Sequence, residues 1–315
     1  MTASAARYRR RLPQLGGETF ITDGGMETTL IFHEGIELPY FASFVLLDET
    51  GGPEVLRAYY ARYIEIARER GMGIILDTVT WRASRDWGRR LGYSPEALAD
   101  ISRRSMALLE GLRAANGEAP PIIISGCLGP RGDGYRVDAA MSADEAESYH
   151  ATQVGTFAET AADLVSALTL TYANEAVGVI RAARKAEIPA VVSFTVETDG
   201  RLPSGQPLGE AIEQVDAATD GGAAYFMINC AHPTHLARAL EAPGTWSNRI
   251  RGLRANASTK SHAELDEAEG LDAGDPVDLA GQYQALRPRL SNLSVVGGCC
   301  GTDHRHIAAI SGVFS

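Results

Sequence analysis

The chain of 315 residues contains four cysteines, and two of them, Cys299 and Cys300, stand side by side in the segment VVGGCCGTDHRHI at 295–307. Adjacent thiols admit three chemistries: a vicinal disulfide that strains the peptide between its ends, a pair of small buried hydrophobes, or two ligands of one metal ion. The third needs another ligand, and Cys230 in MINCAHP, 69 residues before Cys299, supplies one. Thiolates select zinc among common divalent ions, and three protein ligands leave one tetrahedral position open. Three thiolates around a divalent cation leave an excess of negative charge. Such a site polarises carbonyls and activates water poorly, but it holds a substrate thiol deprotonated at neutral pH with its sulfur electron-rich. Two histidine pairs follow the cysteines, His232 with His235 and His304 with His306. Because three thiolates already suffice, these histidines read more simply as helix caps or solvated side chains. Cys127 reads as a small residue at a strand end.

Three cysteines so far apart in sequence can meet only if the chain has strand ends that open onto one place. Short, nearly continuous apolar runs begin at Thr19, Gly73, Pro121, Asp163, Pro189, Ala224, Ile250 and Leu293. Runs of this kind are expected for strands covered on both faces. Helix-like stretches separate them. GPEVLRAYYARYIEIARERG has Pro53 at its start and Gly71 at its stop, and SPEALADISRRSMALLEGLRAAN has Ser94 as N-cap before Pro95. Eight strands alternating with helices in about 300 residues predict a closed (β/α)8 TIM barrel, a single α/β domain covering 1–315, with 1–17 as a solvated N-terminal arm. The polar, acidic stretch NASTKSHAELDEAEGLDAGDP reads as a long loop after strand seven. In a barrel the active site lies at the strand C-terminal ends. Cys230 ends strand six and the cysteine pair ends strand eight, with Gly297, Gly298 and Gly301 offering the freedom for a sharp turn. The sixth and eighth strands then face the same mouth.

A net charge of -11 argues against nucleic-acid and anionic-membrane partners, which require concentrated basic surface. No apolar run approaches the roughly 18 residues of a membrane span, and the basic N-terminus lacks the apolar stretch of a secretory signal. The cysteines are therefore expected to sit reduced in the cytoplasm. No Walker A loop or Rossmann fingerprint follows a strand, so no nucleotide cofactor is expected. The only lysines, Lys185 and Lys260, fall in a helix and a polar loop, which disfavours a Schiff-base lyase. RGD at 131–133 reads as a chance tripeptide, and Trp81, Trp87 and Tyr135 as packing residues or part of an aromatic wall for a cation.

GGCCGTDHRHI and MINCAHP together resemble the signature motifs of the homocysteine S-methyltransferase family. These are zinc-dependent thiol methyltransferases that include the betaine–homocysteine and S-methylmethionine–homocysteine enzymes. ITDGGMETTL, LDTVTWRAS, SGCLGPRGDGY and VVSFTVETDGRLPSGQPLGEAI are similar to the family's strand-end motifs one, two, three and five, so the resemblance runs from Phe20 to Ile307. It implies Zn2+ held by Cys230, Cys299 and Cys300. It also implies that Asp23, Gly24 and Gly25 face the amino-acid end of a thiol acceptor; Thr78, in the Thr-x-Thr motif, is a further candidate for the substrate site, and Asn229 reads either as orienting a substrate carboxylate or as satisfying a turn. The implied partners are a small-molecule thiol and a methyl donor; a homo-oligomer is allowed but not dictated. The implied reaction moves a methyl group from a sulfonium or quaternary ammonium, by default S-methylmethionine, to homocysteine, giving methionine. No catalytic residue beyond the metal site is implied.

Two departures bear on substrate. The family's acid at the end of strand four, which accepts the substrate ammonium, is missing from SALTLTYANEA, and Glu197 on the next loop is the candidate substitute. Arg82 stands where a neutral side chain is expected near the donor. A fixed cation repels a purely cationic donor but binds a carboxylate with two hydrogen bonds, so a carboxylate-bearing donor is expected unless Arg82 meets solvent or Asp86. The competing readings are a non-catalytic zinc- or thiol-binding barrel and a methyltransferase of the same chemistry acting on another thiol or donor.

Overall fold

The computed structural model describes residues 6–137, 140–241, 244–268 and 270–315. Eight parallel strands close into a barrel in sequence order: β1 Phe20–Ile21, β2 Gly73–Asp77, β3 Ile122–Leu128, β4 Leu164–Leu170, β5 Ala190–Phe194, β6 Tyr225–Asn229, β7 Ile250–Ala255 and β8 Val295–Gly298. Closure is made by β1 lying between β2 and β8, with Phe20 in register with both Gly73 and Val295. The helices are α1 Gly52–Arg70, α2 Arg85–Arg90, α3 Pro95–Ala115, α4 Ala143–Ala158, α5 Ala173–Lys185, α6 Leu208–Thr219, α7 Pro233–Ala239, α8 His262–Asp266, α9 Pro276–Leu286 and α10 His304–Gly312. The expected end signals act as read. The Ser94 side chain accepts the Ala97 N–H at the start of α3, and Gly71 closes α1 in the left-handed conformation at φ 65°.

Almost every strand residue is buried because each strand has two covered faces. The outward faces pack on the helices in one large apolar cluster. The inward faces form a smaller one containing Phe20, Ile75, Ile123, Val191, Tyr225 and Val295. That inner cluster includes Leu12, so the N-terminal arm is not solvated as the sequence suggested. It docks beneath the barrel, where Gln14 is fully buried and Arg9 donates to the carbonyls of Ala158, Thr160 and Ala162. The arm is basic in composition, and Arg9 spends its donors on carbonyls at the end of α4 and in the loop before β4.

Two further expectations need correction. The stretch after β7 is not all loop, since α8 lies in it, started by a capping box between Ser261 and Glu264. Gly297 and Gly298 are strand residues rather than turn residues: a Cβ on either would strike Thr22 or Thr302. The sharp turns fall instead at Cys230, φ 54°, and Gly301, φ 79°. No helix among the described residues is long and apolar enough to cross a membrane.

Candidate active site and metal centre

The strand C-terminal ends open into a cavity of about 320 Å3. On its β6–β8 side the three expected cysteines converge, and β7 is what brings them together. The Cys230 N–H donates to the carbonyl of Arg254 and the Cys299 N–H to that of Ala255, so both residues lean over the same strand end. Their sulfurs are joined as a disulfide, and Cys300 Sγ lies 3.9 Å from Cys230 Sγ. The bond is thus neither the vicinal one weighed from the sequence nor the fully reduced set expected there, because the β7 end seats Cys230 and Cys299 face to face. All three sulfurs lie within 4.8 Å of one another. Once reduced they make a soft, anionic donor set on one wall of an open cavity, and they fit a thiophilic divalent ion. The Tyr135 hydroxyl lies 3.6 Å from the sulfurs of Cys230 and Cys300. Its ring packs against His262 in a tilted arrangement, 4.3 Å between centroids.

Beneath the sulfurs, a buried ion cluster forms the cavity floor. Arg254 reaches Asp23 and Asp77, each at 2.5 Å, and the Gly298 carbonyl at 3.3 Å. Tyr59 donates to the other Asp23 oxygen at 3.0 Å. Burial pushes the Asp23 carboxyl up against the pull of Arg254. Burial also works against the charge of Arg254, but its two carboxylates hold it firmly protonated. The cluster holds two carboxylates against one guanidinium, so it is one cation short of neutral. The Oδ1 atom of Asp77 has no hydrogen-bond partner, and neither does Oδ1 of Asn256, and both residues line the cavity.

The β2–β3 wall is built differently. Arg82 is only 6% exposed and its guanidinium lies 4.1 Å from the ring centroids of both Trp81 and Trp87. It makes one hydrogen bond, to the Gly132 carbonyl at 3.2 Å, and its Nε has no partner. Asp86, the partner weighed for it from the sequence, is engaged by Arg131 at 3.1 Å. The RGD tripeptide is part of this wall, through Gly132 O and through Asp133, whose carboxylate accepts the Tyr135 N–H.

A family model for homocysteine S-methyltransferase matches residues 20–314. The chain belongs to the homocysteine S-methyltransferase family. It is accordingly a methyltransferase, with small molecules as substrates. No curated protein matches it in sequence. Among solved structures it is similar to the Escherichia coli homocysteine methyltransferase MmuM. The metallated form has 20% identity and a TM-score of 0.72, and the oxidized form 22% and 0.73. Each match covers 96% of this chain and 98% of that one. At these identities the likeness is one of fold.

Within this homocysteine S-methyltransferase barrel the other expected site residues are distributed as follows. Asp23, Gly24, Gly25 and Thr78 line the cavity, although the Asp23 carboxylate is engaged by Arg254 and Tyr59. Thr78 Oγ1 accepts the Cys127 N–H and bonds Thr80, which ties β2 to β3. Asn229 is largely occupied: it accepts from Thr169 N–H and Ser193 Oγ and donates to Thr169 Oγ1. It therefore ties the ends of β4 and β5 to β6, while its Nδ2 also lies 3.9 Å from Cys299 Sγ on the cavity wall. Glu197 does not line the cavity; it meets His262 Nδ1 at 3.1 Å, and His262 Nε2 meets the Cys230 carbonyl at 2.5 Å. Glu197 thus braces His262, whose other ring nitrogen meets the carbonyl of a candidate metal ligand. Cys127 is buried in the barrel interior, its thiol pushed up first by burial and then by Asp77. His232 caps α7 and His306 completes the capping box of α10, as helix-capping residues.

The sequence assigns no role to Glu27, Arg254 or His262, and marks Asp77 only as a strand-end residue. Arg254 had a signal: a charge inside the apolar run IRGLRAN is affordable only with a buried counterion. Asp77 is the matching charge at the end of another strand.

Proposed function

We propose that this methyltransferase moves a methyl group from a cationic donor to homocysteine, giving methionine, with Cys230, Cys299 and Cys300 in reduced form holding Zn2+. The observation that carries the reading is the convergence of three sulfurs within 4.8 Å on a cavity wall. Zinc bound there would keep the acceptor thiol deprotonated at neutral pH. The protein's own part is positioning. Asp23, Gly24 and Gly25 line the floor where the acceptor's amino-acid end would lie, and the floor cluster, one cation short, suits an ammonium. The unpartnered oxygens of Asp77 and Asn256 supply acceptors for it, which would compensate for the acid missing from the end of strand four. Asn229 ties the end of β4 to β6 through Thr169 and is held in place by Ser193 of β5. Leu265, Ala268 and Leu271 add apolar lining to the cavity, which would limit water around the reacting groups. A thiolate and a sulfonium lose their charges as the methyl moves, so a dry, oriented encounter lowers the barrier without a general base. The need for reduced thiolates places the activity in a reducing compartment, the cytoplasm.

Metal analysis of the reduced protein tests the ligand set. The expected result is about one zinc per chain, lost in Cys230→Ala, Cys299→Ala and Cys300→Ala but kept in Cys127→Ala. Full zinc in one of the first three removes that residue from the site. Mass detection of methionine after incubation with homocysteine and a sulfonium donor then separates catalysis from a non-catalytic zinc barrel.

A further inference from the structure

Behind the loop between β3 and α4 lies a buried ionisable pair that takes no part in the site described above. Glu175, in the first turn of α5, and His150, on α4, are each 1% exposed, and His150 Nε2 meets Glu175 Oε1 at 3.0 Å. Burying a carboxylate is costly unless its oxygens are used, and among the described residues no lysine or arginine side chain pairs with this one. Helix packing does not call for it, since a Cβ on Gly178 of α5 would lie 2.4 Å from Ala146 of α4 and the two helices already meet closely. The same Oε1 atom also accepts the backbone N–H of Arg131 at 2.7 Å. Tyr172, at the N-cap position of α5, accepts the N–H of Met141 through its hydroxyl at 3.1 Å. The start of α5 therefore holds this loop near both of its ends.

Part of the cavity lies between the two holds. RGDGY at 131–135 contains two glycines, which leave the backbone free unless it is pinned. One residue after Arg131, the Gly132 carbonyl accepts from Arg82 Nη1 and from Trp87 Nε1, each at 3.2 Å. Four residues after Arg131, Tyr135 has its N–H on Asp133 and its hydroxyl 3.6 Å from the sulfurs of Cys230 and Cys300. The Arg131 side chain offers a second anchor, on Asp86, but that ion pair is partly exposed and holds little. A buried carboxylate that accepts a backbone N–H is the stronger and more directional hold.

We infer that Glu175, braced by His150, is a positioning residue for methyl transfer: it clamps Arg131 so that the Gly132 carbonyl meets Arg82 and Trp87 and the Tyr135 hydroxyl reaches the sulfurs. This rests on the methyl-transfer reading of the cavity and adds to it the element that sets the geometry of the β2–β3 wall.

The test compares Glu175→Leu, Glu175→Gln and Asp86→Ala in the reduced, zinc-loaded protein. The indole N–H resonance of Trp87, identified by its absence in Trp87→Phe, reports the bond to Gly132. Glu175→Leu is expected to move this resonance and to lower kcat at least about tenfold, while zinc content and the KM for homocysteine change less than about twofold. Glu175→Gln keeps a carbonyl oxygen for the N–H and should restore most of both signals. Asp86→Ala releases only the Arg131 side chain and should leave both unchanged. A resonance that stays in place in folded Glu175→Leu reduces the pair to helix packing and overturns the inference, as does a loss in Asp86→Ala equal to that in Glu175→Leu. If Glu175→Leu does not fold, hydrogen exchange in the wild type decides. The Arg131 amide should be protected at least about tenfold more than the Gly134 amide, and equal rates overturn the clamp. Wild-type protein that makes no methionine overturns the methyl-transfer reading, and a resonance shift confined to Glu175→Leu then still supports the clamp.

Discussion

Arg254 and Arg82 are both buried at the mouth of one barrel, and they solve the problem of a buried cation in opposite ways. Arg254 spends its donors on two carboxylates and a carbonyl, and it ties β7 to β1, β2 and β8. Arg82 has aromatic faces, one carbonyl and no carboxylate. Charge that is satisfied within the fold positions other residues. Charge that the fold leaves unsatisfied beside a cavity is available to a ligand. The two walls therefore divide the labour: the floor is built around a cation that the fold has paired, and the β2–β3 wall carries one that it has not.

That division predicts a graded set of stability effects, each read by denaturant or thermal unfolding. Arg254→Leu leaves Asp23 and Asp77 buried together without a cation and should cost about 3–5 kcal/mol. Tyr59→Phe removes one hydrogen bond to the Asp23 carboxylate and should cost about 1.5–3 kcal/mol. Arg82→Gln removes a cation that no carboxylate balances, so stability should change by less than about 1 kcal/mol or rise. A loss at Arg82 as large as that at Arg254 would erase the distinction between the two walls.

The sequence carried the barrel because each strand is a short, doubly covered apolar run, and it carried the three cysteines because strand-end position in a barrel is a spatial coordinate. What it did not carry depends on which distant side chains meet. Asp77 and Arg254 are 177 residues apart and become partners only once β2 and β7 curve around one mouth. Glu27 sits inside the quoted motif ITDGGMETTL, yet nothing local says that it lines one cavity with Arg82. Arg9 and Leu12 read as a solvated arm because neither shows periodicity; their partners are loop carbonyls and a barrel bottom that do not exist until the sheet closes. The short helix α8 was legible in principle, since Ser261 and Glu264 have capping-box spacing, but its few residues were outweighed by the surrounding acidic, polar composition.

The central claim is that Cys230, Cys299 and Cys300 hold zinc with one position left for a substrate thiol. Zinc X-ray absorption on the reduced, loaded protein measures this directly by counting sulfur neighbours at about 2.3 Å. The account predicts about three sulfurs in the free protein and about four after homocysteine is added. A count that does not change on adding homocysteine, or a shell dominated by nitrogen and oxygen, would contradict it.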